Sequence, residues 1–436
     1  MKYLAILFCL TASLAAAVAR AADQPKLELK DGDRVAFIGD TFVERESKDC
    51  YIETMLTSRF PDRNVTFRNL GYSADTVTGS ARGLCAGWST FEGPDKAFDR
   101  LRKLVAEVKP TVLLMNYGMT ESFSGPEGIP TFTANYNKML DELSKAAGTS
   151  PRIVLMSPNY HEDLGKPLPD PGEHNKNLEA YTRTIEKIAA DRGCVFINLF
   201  ELTERAATAP VAAPLTSNGI HLTPYGYWRM ALGLMKFVDQ RPNSFTIDCD
   251  TGTKYVSVDG SAVDSTGRLF SNYATFDAAK LKAIDGAFNF TGKRDFLPSC
   301  PISSETPKSV ADRWNQFGHP LRITGLKPGN YELKADGVRI ASASAEEWGK
   351  GVIIDRAGPE ARQAEALRKA IIAKNFDFFN YQRPDNDAYI LAFRKGEQGK
   401  NAVEIPKFLP LVAEKEKEIA ELRVPKPVKY SLELVK

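Results

Sequence analysis

The chain has 436 residues, of which 43% are hydrophobic and 26% are charged, and its formal net charge at pH 7 is +2. These values are ordinary for a globular protein, and the length favours two domains. The small net charge gives no electrostatic basis for binding nucleic acid or an anionic membrane, so neither is expected as a partner.

The first segment of the chain is predicted to be an export signal. Lys2 supplies a positive start, and residues 4–18 are almost wholly apolar. The apolar run is shorter than the roughly 20 residues that span a bilayer, and the small residues of Ala17–Ala21 suit a signal peptidase. We therefore expect residues 1–21 to be a cleaved signal peptide and the protein to be secreted or periplasmic, without a membrane span.

Residues 30–240 alternate between two patterns. Short apolar runs without polar alternation are typical of strands buried on both faces of a parallel sheet, and five are found: Arg34–Ile38, Val65–Asn69, Thr111–Met115, Ile153–Ser157 and Val195–Leu199. Between them, apolar residues recur at the 3.6-residue spacing of amphipathic helices. This alternation predicts an α/β fold, a three-layer α/β/α sandwich around a five-stranded parallel sheet.

A different pattern begins near residue 240. Residues 246–263 and 321–340 show alternating hydrophobicity and glycine-containing turns. These features predict an antiparallel β module over residues 245–355.

The remaining region, residues 356–436, is predicted to be helical. Pro359–Lys374 carries an apolar face, whereas Leu409–Leu422 alternates Glu and Lys and is typical of a solvated surface helix. Between the two helices lies an aromatic and polar segment that contains Tyr381 and Arg383. This segment either packs the β module against the α/β domain or binds a sugar, and packing is the favoured interpretation.

Four short segments fall beside the predicted strands and helices: Gly39–Thr41, Asn69–Gly71, Gly118–Glu121 and Asn218–His221. The carboxyl ends of parallel strands gather at one edge of an open sheet, where ligands bind. In their order and spacing these segments resemble the signature blocks of the SGNH hydrolases, a GDSL-like family of esterases and deacetylases. The resemblance covers about residues 33–238. It implies hydrolysis of an ester, often an acetyl group on a carbohydrate, without a cofactor.

The resemblance places Thr41 at the position of the nucleophilic serine. A threonine hydroxyl has the same reach, but its methyl group crowds the oxygen and restricts χ1. The alternative interpretation is that Thr41 caps the following helix through its hydroxyl. Asp40, which precedes Thr41 in the same block, is expected to contact the substrate.

Gly71 and Thr120 correspond to the positions of the oxyanion donors. Gly71 matches its block, whereas Thr120 replaces an asparagine amide with a shorter hydroxyl. Loss of one such donor costs about 3 kcal/mol of transition-state stabilisation in a protease. Asn116, two residues before Gly118, either contacts the substrate in compensation or completes the end of its strand.

His221 corresponds to the catalytic histidine of the family, because the glycine before it and the Thr-Pro after it match the last block. The residue three before it should be aspartate, but here it is Asn218. An asparagine can orient an imidazole without stabilising its cation, and Asp→Asn lowers turnover by about 10⁴ in a Ser-His-Asp protease. Glu121 and Glu162 are the candidates for a replacement carboxylate.

A further polar segment, His161–Asp163, follows the fourth predicted strand. We expect His161 and Glu162 to contact the substrate; the alternatives are a solvated loop or, with His174, a metal site. The spacing matches no strong metal motif, so no metal or other cofactor is predicted.

Five cysteines follow the predicted signal peptide, and an odd number leaves at least one thiol free or paired between chains. Cys50 and Cys85 follow the first and second blocks, which are neighbours in the SGNH fold, so the resemblance implies a disulfide between them. Cys249 and Cys300 are a second candidate pair, and Cys194 is interpreted as a buried thiol.

These observations leave two functions open. The first is a secreted esterase acting on a small-molecule or glycan ester, in which Thr41 attacks the acyl carbon and His221 is the general base. The second is a non-catalytic SGNH-fold protein that binds a glycan or a protein partner in the same cleft. The residues at positions 41, 120 and 218 favour the second function, whereas Gly71 and His221 favour the first.

Overall fold

The computed structural model describes residues 26–83, 94–209, 213–238, 243–249, 253–259, 262–263, 269–270, 274–278, 287–314, 320–354, 358–383 and 399–435. The predicted signal peptide lies outside these residues. Among the helices that are described, none combines the length and the apolar character that crossing a membrane requires.

The predicted parallel sheet is confirmed. Its strands are β1 (Arg34–Gly39), β2 (Thr66–Asn69), β3 (Val112–Asn116), β4 (Arg152–Met156) and β5 (Val195–Ile197). All neighbouring strands are parallel, in the order β2-β1-β3-β4-β5. The strand order reverses between β1 and β3, and in open α/β sheets a ligand cleft opens at the carboxyl ends of such a pair.

Helices cover both faces of this sheet, which gives the predicted three-layer sandwich. They are α1 (Thr41–Asp49), α2 (Tyr51–Arg59), α3 (Pro94–Val108), α4 (Ile129–Ala147), α5 (Gly172–Arg192), α6 (Leu199–Ala207) and α7 (Pro224–Leu234). Successive strand residues alternate between the two faces, and both faces are buried. Phe37 and Leu114 lie in one hydrophobic core, and Ile38 and Leu113 lie in the other.

The predicted antiparallel β structure is also present. Its strands are β6 (Asn243–Cys249), β7 (Thr253–Asp259), β8 (Ala262–Val263), β9 (Leu269–Phe270), β10 (Ala274–Asp277), β11 (Ala287–Arg294), β12 (Pro320–Thr324), β13 (Asn330–Ala335), β14 (Val338–Ser344), β15 (Val352–Ile353) and β16 (Val428–Leu434). Six of them form one antiparallel sheet in the order β14-β13-β16-β11-β6-β7. A smaller sheet, β10-β12-β15, contains one parallel pair, and β8 pairs with β9.

The helices of this part of the chain are α8 (Lys308–Trp314), α9 (Ala345–Lys350), α10 (Pro359–Gln382) and α11 (Phe408–Leu422). Helix α10 packs on the α/β domain, because Leu367 and Ile371 are fully buried in the same core as Phe37. Helix α11 is mostly exposed and buries Val412 and Ile419.

The end of the aromatic segment contacts the α/β domain. Tyr381 donates its hydroxyl hydrogen to Glu107, and Arg383 pairs with Glu44 at 2.8 Å. The guanidinium of Arg383 also lies 3.8 Å from the ring centre of Tyr72. The described part of the segment therefore joins the end of α10 to α1, α3 and the loop that follows β2.

The disulfide predictions are wrong for Cys50 and Cys300, because the thiols of both residues are free and buried. Cys50 Sγ donates to the Ser47 carbonyl and lies 3.2 Å from Nδ2 of Asn375 on α10. Cys85 lies outside the described residues. Cys194, which was interpreted as a buried thiol, is free and only half-buried.

Candidate functional site

A cleft lies where β1 and β3 end. Its walls come from the start of α1, the loops after β3 and β4, and the loop before α7. The residues that line it are Asp40, Thr41, Phe42, Arg45, Met119, Asn159, Ile220, His221, Leu222 and Tyr227. Thr41 and His221, which come from opposite ends of the α/β domain, therefore share one cleft.

Asp40 caps the N-terminus of helix α1. Its Oδ1 accepts a hydrogen bond from the Phe42 N–H at 3.0 Å. Burial, followed by the charges of Glu121 and Asp75, raises the pKa of Asp40 to about 8. The carboxyl group of Asp40 is therefore mostly protonated at neutral pH.

Thr41 is not the helix cap, since Asp40 has that role. Its Oγ1 accepts a hydrogen bond from the Ala74 N–H at 2.9 Å. This contact uses a lone pair of the oxygen and leaves the hydroxyl hydrogen available to a ligand.

The imidazole of His221 is held by Asn218. Oδ1 of Asn218 accepts hydrogen bonds from the N–H groups of Ile220 and His221, at 3.2 and 2.9 Å, which determines the orientation of the amide. Nδ2 of Asn218 then faces Nδ1 of His221 at 3.2 Å and donates to it. An Nδ1 atom that accepts a hydrogen bond carries no hydrogen, so neutral His221 is protonated on Nε2.

This tautomer determines what His221 offers to the cleft. A general base for Thr41 needs an unprotonated Nε2, whereas here Nε2–H is a hydrogen-bond donor. Burial, together with the positive charge of Arg45, lowers the pKa of His221. The imidazole is therefore neutral at pH 7, and it presents Nε2–H to the cleft as a hydrogen-bond donor.

The two candidate carboxylates are both engaged elsewhere. Glu121 accepts hydrogen bonds from the N–H groups of Val77 and Gly118, at 2.8 and 3.1 Å, and burial raises its pKa to about 7. Glu162 accepts from the N–H groups of Leu215 and Thr216, at 3.0 and 2.8 Å, and from the Thr216 hydroxyl. Glu162 therefore anchors the loop that carries His221.

Replacing Glu162 with glutamine is expected to lower the free energy of unfolding by about 2–3 kcal/mol, because an N–H group then faces backbone donors that are left unsatisfied. Urea denaturation followed by circular dichroism measures the change. The matched control is Glu173→Gln, at a highly exposed surface ion pair on α5, which should change stability by less than about 0.5 kcal/mol. Equal stabilities of the two variants would contradict the anchoring role.

A chain of hydrogen bonds supports the same loop from another side. Ser122 Oγ donates to the Met119 carbonyl at 2.7 Å, so it accepts from Nε2 of His174 at 2.8 Å. Nδ1 of His174 then accepts from Nδ1 of His161 at 2.9 Å. A Cβ at Gly219 (φ +91°) would lie 2.7 Å from the His161 ring, so this close approach requires glycine. His161 thus packs against the loop.

His161 and His174, the two histidines in this series of hydrogen bonds, are neutral at pH 7. Burial lowers the pKa of His161 and lowers that of His174 to about 4. In the part of the chain that the structure describes, no group of three or more His, Cys, Asp or Glu side chains is arranged to hold a metal ion.

The remaining predicted positions, Gly71, Asn116 and Thr120, are not among the residues that line the cleft. The Gly71 N–H donates to Asn69 Oδ1 at 2.9 Å, and a Cβ on Gly71 would lie 2.4 Å from the Glu44 nitrogen. Asn116 Nδ2 donates to the Ser157 carbonyl at 2.7 Å and ties together the ends of β3 and β4. Thr120 precedes a short 3₁₀ turn, Glu121–Ser124.

Several cleft residues were not found from the sequence. Asn159 Nδ2 donates to the carbonyls of Tyr160 and Ile220, at 3.2 and 3.1 Å, and the Tyr227 hydroxyl donates to the Phe42 carbonyl at 2.8 Å. Arg45 could have been predicted from the sequence, because it lies four residues after Thr41 and therefore on the same face of the helix.

Residues 37–229 match the sequence model of the GDSL-like Lipase/Acylhydrolase family. Among solved structures, a gut microbial diltiazem-metabolizing enzyme superposes with a TM-score of 0.67 at 16% identity, over 94% of this chain and 100% of that chain. That likeness shows that the fold is shared across both the α/β domain and the β module.

Two further structures are similar over about half of this chain. An acetylxylan esterase from Geobacillus stearothermophilus has a TM-score of 0.37 at 18% identity, over 49% of this chain and 100% of that chain. An alpha/beta hydrolase enzyme from the metagenome of Lake Arreo, Spain, has a TM-score of 0.36 at 20% identity, over 48% of this chain and 95% of that chain. A search of curated protein sequences finds no significant match.

Proposed function

Because residues 37–229 form a domain of the GDSL-like lipase/acylhydrolase family, we propose that the cleft binds a carboxylic ester and hydrolyses it slowly. The observation that supports hydrolysis is that Thr41 and His221 line one cleft at the carboxyl ends of β1 and β3. The proposed substrate is a small-molecule or glycan ester, such as an acetyl group on a carbohydrate, met by a secreted or periplasmic protein.

In this proposal Thr41 Oγ1 forms a bond to the acyl carbon while its proton passes to Nε2 of His221. The proton then goes to the leaving alkoxide, and water hydrolyses the acyl-threonine with the same base. The Ala74 N–H, which already contacts Oγ1, stabilises the negative charge that develops on the attacking oxygen. Thr120 and the Thr41 N–H are the proposed oxyanion donors, and Gly71 joins them only after its N–H leaves Asn69 Oδ1.

The proposed reaction is slow because of the tautomer of His221. A base at Nε2 requires the hydrogen on Nδ1, where it would face the Nδ2–H of Asn218. The amide of Asn218 is not free to turn, because two backbone N–H groups hold its Oδ1. In a Ser-His-Asp protease, the equivalent substitution of asparagine for aspartate lowers turnover by about 10⁴, because it leaves the histidine in the wrong tautomer.

The same hydrogen bond supports a second function. With Nε2–H as a donor, the cleft can bind an ester, a glycan or a protein segment through its acceptor oxygens without any proton transfer. In this alternative the protein is a catalytically degenerate member of the family.

Hydrolysis of 4-nitrophenyl acetate distinguishes the two functions. We expect slow turnover by the wild type and at least a tenfold loss in both Thr41→Ala and His221→Ala, because each removes a participant in proton transfer. The control is Thr184→Ala on α5, whose hydroxyl contacts only its own helix among the described residues. Turnover that survives both cleft variants would rule out the proposed reaction, and binding of an acetylated oligosaccharide without turnover would establish the second function.

A further inference from the structure

At pH 7 the titratable side chains that line the cleft leave one positive charge in it. Burial raises the pKa of Asp40 to about 8 and keeps the Tyr227 hydroxyl protonated by raising its pKa. His221 is neutral because burial and the charge of Arg45 lower its pKa. Arg45 is then the charged group of the cleft, since a guanidinium stays protonated in proteins.

Arg45 is half-buried and forms no ion pair or hydrogen bond within the described residues. Its acidic sequence neighbours are engaged elsewhere: Glu44 pairs with Arg383 at 2.8 Å, and Glu46 accepts a hydrogen bond from the Ile52 N–H at 2.6 Å. A guanidinium at a ligand cleft without a protein counter-ion favours an anionic ligand group, and its planar donors match a carboxylate.

The position of Arg45 on α1 indicates where such a group would lie. Arg45 follows Thr41 by four residues, so the two side chains project from the same face of the helix about 5–6 Å apart at Cβ. The positive charge of Arg45 also acts on His221 and Tyr227, which places the guanidinium near the cleft. An ester carbonyl at Thr41 would therefore have the guanidinium about one helical turn away.

We propose that Arg45 recognises a carboxylate on the ligand, so that the cleft selects short esters that carry a carboxylate about one helical turn from the ester group. An acylated acidic sugar belongs to this class. The selection of an ester rests on the proposed function, but carboxylate recognition itself does not require turnover.

The test compares two small probes by isothermal titration calorimetry at low ionic strength. Monomethyl succinate carries an ester and a carboxylate, and dimethyl succinate is its neutral counterpart. We expect the wild type to bind the anionic probe about tenfold or more tightly, because a hydrogen bond to a charged group is stronger than a neutral one. Added salt should reduce the preference.

The variants locate the source of the preference. Arg45→Met keeps the aliphatic stem and should lose the preference, whereas Arg45→Lys should keep part of it. Arg183→Met removes the same charge from an exposed arginine on α5 that is not among the residues lining the cleft, and should leave the preference unchanged. Equal binding of the two probes by the wild type, a preference that persists in Arg45→Met, or tighter binding of sulfate than of monomethyl succinate would overturn the inference.

Turnover of 4-nitrophenyl acetate, measured on the same proteins, separates this inference from the proposed function. An anion preference that depends on Arg45 but comes without turnover refutes hydrolysis and leaves carboxylate recognition standing. Turnover without the preference refutes carboxylate recognition and leaves hydrolysis standing.

Discussion

Replacing Asn218 with aspartate is expected to raise kcat for 4-nitrophenyl acetate by about 10²- to 10⁴-fold. One carboxylate oxygen keeps the hydrogen bonds from the N–H groups of Ile220 and His221, and the other accepts a hydrogen bond from Nδ1–H of His221. The hydrogen of the imidazole then lies on Nδ1, so Nε2 can accept the proton of Thr41. The carboxylate also stabilises the imidazolium that forms.

The pH dependence provides a second measurement on the same variant. Activity that needs neutral His221 falls as the pH drops through the pKa of this residue, which burial and Arg45 hold below its ordinary value in the wild type. A carboxylate at position 218 favours the cation, so the acid limb of kcat/KM should move to higher pH. The gain should vanish in the Asn218→Asp, His221→Ala double variant. A gain that persists without His221, or no gain at all, would contradict the proposed roles.

The second large effect concerns a buried ion pair between α10 and the α/β domain. Lys374 Nζ lies 2.5 Å from Glu53 Oε1 and 3.0 Å from the Phe67 carbonyl, and the two charged side chains are 1% and 4% exposed. In Lys374→Met, Glu53 stays buried with Asn375 Nδ2 as its remaining side-chain partner in the described structure. We expect the free energy of unfolding to fall by about 3–5 kcal/mol, measured by urea denaturation.

A double variant and a surface control make this prediction specific. Adding Glu53→Gln to Lys374→Met removes the uncompensated charge and should recover part of the lost stability. Lys176→Met, at an exposed ion pair on α5, should cost less than about 1 kcal/mol. If Lys374→Met were as stable as this control, the ion pair would not hold α10 to the domain.

The sheet could be predicted from the sequence because its strands are buried on both faces. Each expected run is a strand to within one or two residues at either end, as Thr111–Met115 against the observed Val112–Asn116 shows. The expected helix Pro359–Lys374 continues to Gln382, since Phe378 extends its buried face. Pro384 follows Arg383, and the residue before a proline disfavours helical conformation.

The site was only partly predictable, because its contacts join distant parts of the chain. The motifs pointed to Thr41 and His221 through local spacing, and both line the cleft. The hydrogen bonds of Glu162 to Thr216 and the contact of Cys50 with Asn375 have no local signal in the sequence. Such contacts appear only when the chain is folded.

The orientation of the Asn218 amide also required coordinates. An asparagine near a histidine can accept or donate, and its sequence position does not distinguish the two. Here two backbone N–H groups donate to Oδ1 and so fix the orientation of the amide. Nδ2 of Asn218 therefore donates to the imidazole. An asparagine at position 218, where the resemblance implies an aspartate, therefore affects the tautomer of His221 as well as the local charge.

The most direct test is the ¹⁵N NMR spectrum of the histidine side chains in the wild-type protein at neutral pH, with the His221 signals assigned by their loss in His221→Gln. The expected spectrum shows His221 neutral, with the hydrogen on Nε2 and none on Nδ1. A spectrum with the hydrogen on Nδ1 would mean that Asn218 accepts from the imidazole, and would contradict the proposed tautomer and the slow hydrolysis that is proposed to follow from it.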